Sequence, residues 1–156
     1  MKVRDVMTGN VKSCSPELNL AAAAKIMWDN DCGAVPVTDA AGRVTGMITD
    51  RDICMAVAGK NRLAAEITVG EVISHQAHVC QEDDDIQDAL ELMRREQVRR
   101  LPVVNSDGVL QGILSINDVV LRSKKGKSKD DSHIPHKDVM RTIKALSQHH
   151  HLPEAQ

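Results

Sequence analysis

The chain has almost no aromatic side chains, since Trp28 stands alone and tyrosine and phenylalanine are absent. Proteins that bind single-stranded nucleic acid commonly stack the bases on aromatic rings. A stacking platform of that kind is therefore excluded, and the core must be built from aliphatic residues.

Long apolar runs and a strong excess of one charge are also missing. No run approaches the roughly 20 apolar residues of a membrane-spanning helix, and Met1 leads into Lys2-Val3-Arg4-Asp5 rather than into an apolar signal segment. The formal net charge of −2 argues against a surface that binds nucleic acid or an anionic membrane as a whole. We expect a cytoplasmic protein without a membrane segment, in which any anion site is local.

The cysteines form no C-x-x-C pair and have no histidine at metal-ligand spacing; they are Cys14, Cys32, Cys54 and Cys80. We expect neither a zinc site nor a disulfide, because reduced thiols are the usual state in a cytosol.

What the chain does contain is a tandem repeat. The stretch Gly46 to Asp52 returns as Gly112 to Asp118, 66 positions later, and Val69 to Val119 repeats Val3 to Ile53 without an insertion. A fixed period indicates two copies of one structural unit. The same offset relates Val3 to Val69, Cys14 to Cys80, Met27 to Met93, Pro36 to Pro102 and Gly42 to Gly108.

Hydrophobic spacing predicts the same elements in each unit. Ser15-Pro16-Glu17 has the composition of a helix start. A strand at Ala34 to Val37, a hairpin turn at Asp39 to Gly42 and a second helix at Arg51 to Ala58 follow. The first helix of each unit carries an apolar stripe at i, i+3, i+4 and i+7 or a close variant of it, made of Leu20, Ala23, Ala24 and Met27 in one unit and Ile86, Ala89, Leu90 and Met93 in the other.

Each unit is thus β-α-β-β-α, which places the protein in the α/β class, more strictly α+β. Units of about 55 residues bury too little surface to be stable alone, so we expect them to pack with pseudo-twofold symmetry around a ligand cleft. The predicted organisation is repeat 1 at 1–58, a connector at 59–68, repeat 2 at 69–122, a basic linker at 123–132, an amphipathic helix at 133–148 and a tail at 149–156.

The C-terminal region is expected to be less regular. The polar and basic run from Arg122 to Lys129 predicts a mobile linker. Val139, Ile143 and Leu146 lie at helical spacing, and so short a helix must dock on its own body, on a dimer mate or on a partner. His149-His150-His151 has no spaced carboxylate or cysteine, which favours a disordered tail over a metal site.

Two interpretations fit Thr49 with Asp52 and Ser115 with Asp118. Each pair can cap a helix, because the hydroxyl accepts a free backbone N–H and the acid favours the positive end of the helix dipole. Alternatively, the helix start can bind phosphate while the carboxylate accepts ribose hydroxyls. Two copies at equivalent positions favour the ligand site.

The tandem pattern resembles the paired CBS domains, named for cystathionine beta-synthase and also called a Bateman module. The resemblance covers about residues 1 to 122. It rests on Asp5-Val6-Met7-Thr8, on Ala34-Val35-Pro36-Val37 with Arg100-Leu101-Pro102-Val103, and on the Gly-apolar-apolar-Thr/Ser-x-x-Asp ending of both repeats.

This resemblance implies a non-catalytic regulatory module that binds an adenosine-containing ligand, such as AMP, ADP, ATP, NAD or S-adenosylmethionine, between the repeats. It also implies a homodimer. Because no effector domain is fused, the partner would be a separate effector protein. The implied ligand contacts are Thr49, Arg51, Asp52, Ser115, Asn117 and Asp118. The backbone near Ser13, Val35, Val79 and Leu101, with Pro36 and Pro102 beside it, would lie along the adenine edge.

The repeats differ in charge where Gly33-Ala34 in the first corresponds to Arg99-Arg100 in the second. Guanidinium groups form strong bonds with phosphate, so we expect unequal clefts and a phosphate-rich ligand beside the arginines. Alternation along a strand predicts that at most one of the two arginines points inward. The competing interpretation is that they form surface ion pairs after Glu96.

Other functions have weaker support. No nucleophile with its base is visible, so an autonomous enzyme is not expected. The acidic run Glu82-Asp83-Asp84-Asp85 opens a helix, which accounts for it without a metal. The alternative function is a ligand-free module that binds a protein or nucleic acid through its basic linker and C-terminal helix.

Overall fold

The computed structural model describes residues 1–73, 76–126 and 133–148. Its elements follow the predicted order of two β-α-β-β-α repeats and a C-terminal helix, which confirms the fold class. Repeat 1 contains β1 (Thr8–Gly9), α1 (Leu20–Asp29), β2 (Ala34–Thr38), β3 (Val44–Thr49) and α2 (Asp50–Lys60), and repeat 2 contains β4 (Cys80–Gln81), α3 (Ile86–Glu96), β5 (Arg100–Val104), β6 (Leu110–Ser115) and α4 (Ile116–Leu121).

The segment that leads into each repeat packs on the other repeat. Val3 lies in the aliphatic core of repeat 2, and its counterpart Val69 lies in the core of repeat 1, both fully buried. The backbone N–H groups of Val3 and Val69 donate to the carbonyls of Asp84 and Leu18, at 3.0 and 2.8 Å. This exchange of leaders joins the two small units into one body.

The exchanged leader also explains why the predicted start of α1 is wrong. The helix begins at Leu20 rather than at Ser15, and Asn19 caps it by accepting from the N–H of Ala22 at 2.9 Å. The turn before it is held instead by the leader of repeat 2, because Gly70 donates to the carbonyl of Pro16 at 2.8 Å.

The strands form a hairpin in each repeat. In repeat 2, β5 pairs antiparallel with β6, β4 adds parallel to β5, and β1 from repeat 1 closes the far edge in the order β1-β6-β5-β4. In repeat 1, β2 pairs antiparallel with β3, and Cys14 forms a single parallel bridge to Val37. The hairpin turns place Gly42 and Gly108 at φ of 77° and 78°, a conformation that glycine adopts without strain.

The second helix of repeat 1 is longer than predicted. It runs through Gly59 to Lys60 and ends at Asn61, whose φ of 50° lies in the left-handed region. Asparagine tolerates this conformation better than most residues, which suits Asn61 to the end of the helix.

The C-terminal region is more ordered than the predicted linker. Ser123–Lys124 forms β7, which pairs parallel with β8 (Ile134–Pro135), and α5 (His136–Leu146) follows directly. Helix α5 packs on α3 and α4 of its own chain, with Ile134 and Val139 buried in the core of repeat 2. Of the predicted linker, residues 127–132 lie outside the described residues, as does the predicted tail His149-His150-His151.

None of the helices in the described part of the chain is both long enough and apolar enough to cross a membrane.

Candidate functional site

Both predicted Thr/Ser-x-x-Asp motifs form reciprocal capping boxes. At the start of α2, the backbone N–H of Asp52 donates to the Thr49 hydroxyl oxygen at 3.1 Å, and the Thr49 N–H donates to Asp52 Oδ2 at 2.9 Å. Ser115 and Asp118 repeat the arrangement at α4, with N–H to carboxylate at 2.8 Å. The capping interpretation therefore fits this geometry, and ligand binding by the same groups stays a prediction.

Asp118 has a further partner that crosses between the repeats. The hydroxyl of Thr8 donates to Asp118 Oδ1 at 3.1 Å, while Oδ2 accepts from the capping box. Both oxygens of this carboxylate therefore already accept hydrogen bonds. The position equivalent to Thr8 in repeat 2 is residue 74, outside the described residues.

One cavity, here called cleft A, opens at the start of α2. Its volume is about 460 Å³, and its lining includes Thr49, Arg51, His78, Arg99, Arg100 and Pro102. Both Arg99 and Arg100 contribute to the lining of this cleft. The expectation that at most one of the two side chains points inward stays a prediction.

A second cavity, cleft B, lies at the start of α4. Its volume is about 420 Å³, and its lining includes Thr8, Pro36, Arg100, Ser115, Asn117 and Asp118. The two clefts share Gly33, Ala34 and Arg100. Arg100 therefore borders both clefts, although the sequence suggested a role in one.

The clefts differ in the charge of their described linings. Cleft A has Arg51, Arg99 and Arg100 against the single carboxylate of Asp50. Cleft B has two cationic and two anionic side chains, the anionic ones being Asp31 and Asp118. An anion is therefore favoured more strongly in cleft A than in cleft B.

Gly33 lies close to the exposed side chain of Asp50. A Cβ built on Gly33 would lie 3.0 Å from Asp50 Oδ2, closer than most real contacts. The equivalent pair in repeat 2 is Arg99 with Ile116, and both pairs keep the same backbone bond, Asp50 N–H to Gly33 O at 3.1 Å and Ile116 N–H to Arg99 O at 3.0 Å. The two repeats therefore have the same backbone geometry at this point, although one carries Gly33 and the other Arg99.

Some predicted site residues do not line either cleft. Val35 and Leu101 are almost fully buried in the two cores, and the side chain of Asp52 is occupied by its capping box. Ser13 is exposed on the segment before Cys14 and accepts a hydrogen bond from Thr38 at 3.3 Å. Val79 is partly exposed beside His78. Ligand contact by these five residues stays a prediction.

His78 is a cleft residue that sequence reasoning did not select. Its Nε2 lies 3.5 Å from Glu96 Oε2. A hydrogen bond from Arg95 and the nearby His78 hold the pKa of Glu96 below its ordinary value. Because His78 has no histidine counterpart in repeat 1, the repeat gave no signal for it.

Thr8 is a second cleft residue that was not predicted as a site residue. It could have been found from its position in Asp5-Val6-Met7-Thr8.

The acidic run before α3 is used structurally. Asp85 caps the helix by accepting from Gln87 N–H at 2.9 Å, Asp84 accepts from Gln81 N–H at 2.7 Å, and Asp83 pairs with Arg4. Within residues 1–73, 76–126 and 133–148, no group of three histidine, cysteine, aspartate or glutamate side chains is arranged to hold a metal ion.

The tandem repeat matches a known protein family. Residues 3–59 and 69–125 each match the family model of the CBS domain. The chain belongs to the CBS domain family. The CBS domain-containing protein YhcV of Bacillus subtilis is 32% identical over 126 residues, which cover 81% of this chain and 88% of YhcV. The resemblance found in the sequence is therefore confirmed.

Solved structures show the same tandem CBS fold. A crystal structure of Hypoxic Response Protein I with two coordinated zinc ions has a TM-score of 0.71 and 32% identity, covering 78% of this chain and 98% of that chain. CBSX2 of Arabidopsis thaliana in complex with AMP has a TM-score of 0.66 and 26% identity, covering 77% and 93%.

Proposed function

We propose that the protein is a non-catalytic regulatory module that binds an adenine nucleotide and signals to a separate effector in the cytoplasm. Cleft A carries this proposal, because it joins three arginines to the start of an 11-residue helix. The positive end of the helix dipole favours phosphate at such a position. The volume of about 460 Å³ lies within the range of small-ligand pockets.

The ligand class is supported by a relative. CBSX2, 26% identical to this chain, has been crystallised with AMP. AMP, ADP and ATP combine an adenosine with the phosphate that cleft A favours, and they are therefore the first candidates. NAD and S-adenosylmethionine share the adenosine and belong in the same test.

In this proposal the arginines bind phosphate and Asp118 accepts ribose hydroxyls in cleft B. Asp52 does not line cleft A in this structure, and its side chain must turn toward the cleft to accept ribose hydroxyls there. For Asp118, a ribose hydroxyl must share or replace the bond from Thr8. For Asp52, it must share a carboxylate already engaged by Thr49 at 2.7 Å. A bound ligand would thus share or replace hydrogen bonds at the starts of α2 and α4. Ligand binding would therefore be coupled to the stability of these two helix starts.

A thermal-melt panel tests the ligand class. A ligand present at 100 times its Kd adds about 2.7 kcal/mol to the free energy of unfolding, which corresponds to a rise in Tm of roughly 5–10 °C for a protein of this size. We expect this rise with at least one of AMP, ADP and ATP and not with the guanosine nucleotides. A flat response to every adenosine compound would overturn the proposed function.

The alternative module, which binds a protein or nucleic acid without a nucleotide, is tested in the same samples. It predicts partner capture that weakens steeply with salt and does not respond to any nucleotide. Helix α5, one of the two elements invoked for that alternative, has its apolar face packed on its own chain. We therefore favour the nucleotide-binding module, acting as a homodimer.

A further inference from the structure

Both clefts carry a basic side chain at the same position of the repeat. His78 lines cleft A, and Lys12, its counterpart in repeat 1, lines cleft B. The clefts also share other equivalent positions, such as Pro102 in cleft A and Pro36 in cleft B. Clefts A and B are therefore equivalent places in the two repeats, and each has a basic residue at this position.

The two basic residues differ in how their charge depends on pH. A lysine side chain ordinarily keeps its charge throughout the physiological range, whereas histidine is the side chain whose charge ordinarily changes between about pH 5 and pH 8. At this position cleft B therefore has a permanent cation in Lys12, and cleft A has a pH-dependent one in His78.

Charged groups approach His78 from three elements of the described chain. At the end of α3, Glu96 Oε2 lies 3.5 Å from His78 Nε2, and Glu96 also accepts a hydrogen bond from Arg95 at 2.7 Å. The start of α2 and the start of β5 supply the charged residues of the described cleft A lining, which are Asp50, Arg51, Arg99 and Arg100. The imidazole therefore lies beside a carboxylate and in the same cleft as three guanidinium groups.

The hydrogen-bond capacity of the imidazole depends on its protonation. A neutral imidazole has one N–H donor, and its other ring nitrogen presents a lone pair to any anion nearby, whereas a protonated imidazole has two donors. One ring nitrogen of His78 already lies beside the Glu96 carboxylate. A donor for a phosphate in addition to that carboxylate is therefore available only on the protonated ring.

We propose that His78 is a phosphate-binding residue of cleft A and that its protonation strengthens nucleotide binding there as the pH falls. Hydrogen bonds between two ionised groups are about twice as strong as neutral ones, so the protonated ring binds phosphate better than the neutral ring does. At the equivalent position of cleft B, Lys12 gives no such response. This inference rests on the proposed nucleotide-binding function and adds a pH response to one of the two clefts.

Titration calorimetry with AMP at pH 6 and pH 8 tests the role of His78. An opposite charge beside a titrating group shifts its balance between charged and neutral forms by about tenfold or more. His78→Gln, which is neutral at both pH values, should therefore raise the Kd of the stronger site about 5- to 10-fold at pH 6 and less than about twofold at pH 8. His78→Lys copies the residue of repeat 1, and it should match the wild type at pH 6 and bind AMP about 5- to 10-fold more tightly at pH 8.

Two controls isolate this effect. A phosphate monoester itself takes up a proton near pH 6, so Kd values are compared between variants at one pH, where that change is common to all of them. Lys12→Gln should weaken the weaker site by the same factor at pH 6 and pH 8. Adenosine affinity should change less than about twofold in every variant, because adenosine has no phosphate for the imidazolium to bind. Circular dichroism verifies that each variant is folded.

The outcomes separate this inference from the function on which it rests. If no adenine nucleotide binds at either pH, the proposed function fails and this inference fails with it. If AMP binds but His78→Gln raises its Kd by the same factor at pH 6 and pH 8, the pH response of cleft A is overturned alone. An equal change for AMP and adenosine would likewise show that His78 pairs with Glu96 without binding phosphate.

Discussion

Thr8 in repeat 1 donates its hydroxyl hydrogen to Oδ1 of Asp118 in repeat 2, at 3.1 Å. Asp118 Oδ2 meanwhile accepts the N–H of Ser115 at 2.8 Å. One carboxylate therefore holds the start of α4 and also fixes β1 against the second repeat. A ligand hydroxyl that binds Asp118 Oδ1 must share this oxygen with Thr8 or replace Thr8.

We predict that Asp118→Ala lowers the free energy of unfolding by about 1–2 kcal/mol, because a helix cap and an inter-repeat hydrogen bond are lost. The corresponding fall in Tm is roughly 2–8 °C. Binding of adenosine to cleft B should be lost as well. Thermal melting and titration calorimetry measure the two effects.

Thr8→Val is the matched control, since it removes the Thr8 contact and leaves the capping box in place. It should lower Tm less than Asp118→Ala does, and it should retain adenosine binding because Asp118 Oδ1 stays available. If Asp118→Ala binds adenosine as well as the wild type does, the carboxylate is a cap without a ligand role.

We predict that β8 and α5 contribute directly to the stability of repeat 2. Ile134 of β8 is fully buried in its core, and Val139 of α5 is 5% exposed. Replacing Ile134 with alanine should cost about 2–5 kcal/mol. Urea unfolding should show a lower midpoint for Ile134→Ala and for a chain that ends at Gly126, while His136→Ala, an exposed change at the start of α5, should match the wild type. An unchanged midpoint after truncation would mean that the packing of α5 adds no net stability.

The four thiols should fall into two reactivity classes. Burial raises the pKa of Cys14 to about 11, and burial together with the nearby Asp84 raises that of Cys80 to about 12. Both therefore stay protonated at pH 8, and the protonated thiol is the unreactive form. Cys32 and Cys54 are exposed.

A chromogenic disulfide reagent at pH 8 should accordingly titrate two thiols rapidly in the native protein and four in denaturant. Cys32→Ser and Cys54→Ser should each remove one rapid equivalent, whereas Cys14→Ser should remove none. Four rapid thiols in the native state would contradict the burial of Cys14 and Cys80.

The repeat made much of the fold predictable. The 66-residue offset placed both hairpins, both capping boxes and the apolar stripe from Ile86 to Met93, because each depends on local spacing that occurs twice. The start of α1 was missed because the turn at Pro16 bonds to Gly70, which is distant in sequence. The exchange of Val3 and Val69 between cores was missed for the same reason, since local patterns do not specify packing partners.

The site was predictable only in part. The motifs identified Thr49, Ser115 and Asp118 near the clefts, because a strand that enters a helix fixes their location. They did not separate lining residues from buried ones such as Val35 and Leu101, since adjacent strand positions look alike in sequence. They also could not show that Arg100 borders both clefts, which depends on how the repeats pack.

The final prediction concerns the two arginines. Arg100 lines both clefts, whereas Arg99 lines cleft A but is absent from the described lining of cleft B. Arg99→Ala should therefore weaken AMP binding at one site, and Arg100→Ala should weaken it at both. A hydrogen bond to a charged group contributes about 1.5–3 kcal/mol, so each affected Kd should rise about 10- to 100-fold.

Titration calorimetry with AMP and with adenosine separates phosphate contact from a general loss of binding. The wild type should show a stronger site, assigned to cleft A by its three arginines, and a weaker one. Adenosine affinity should change little in either variant, because adenosine has no phosphate for a guanidinium to bind. Arg95→Ala is the matched control, since Arg95 pairs with Glu96 at 2.7 Å and lines neither described cleft. Equal losses for AMP and adenosine would mean that the arginines shape the clefts without contacting phosphate, and the charge difference between the clefts would then not select the ligand.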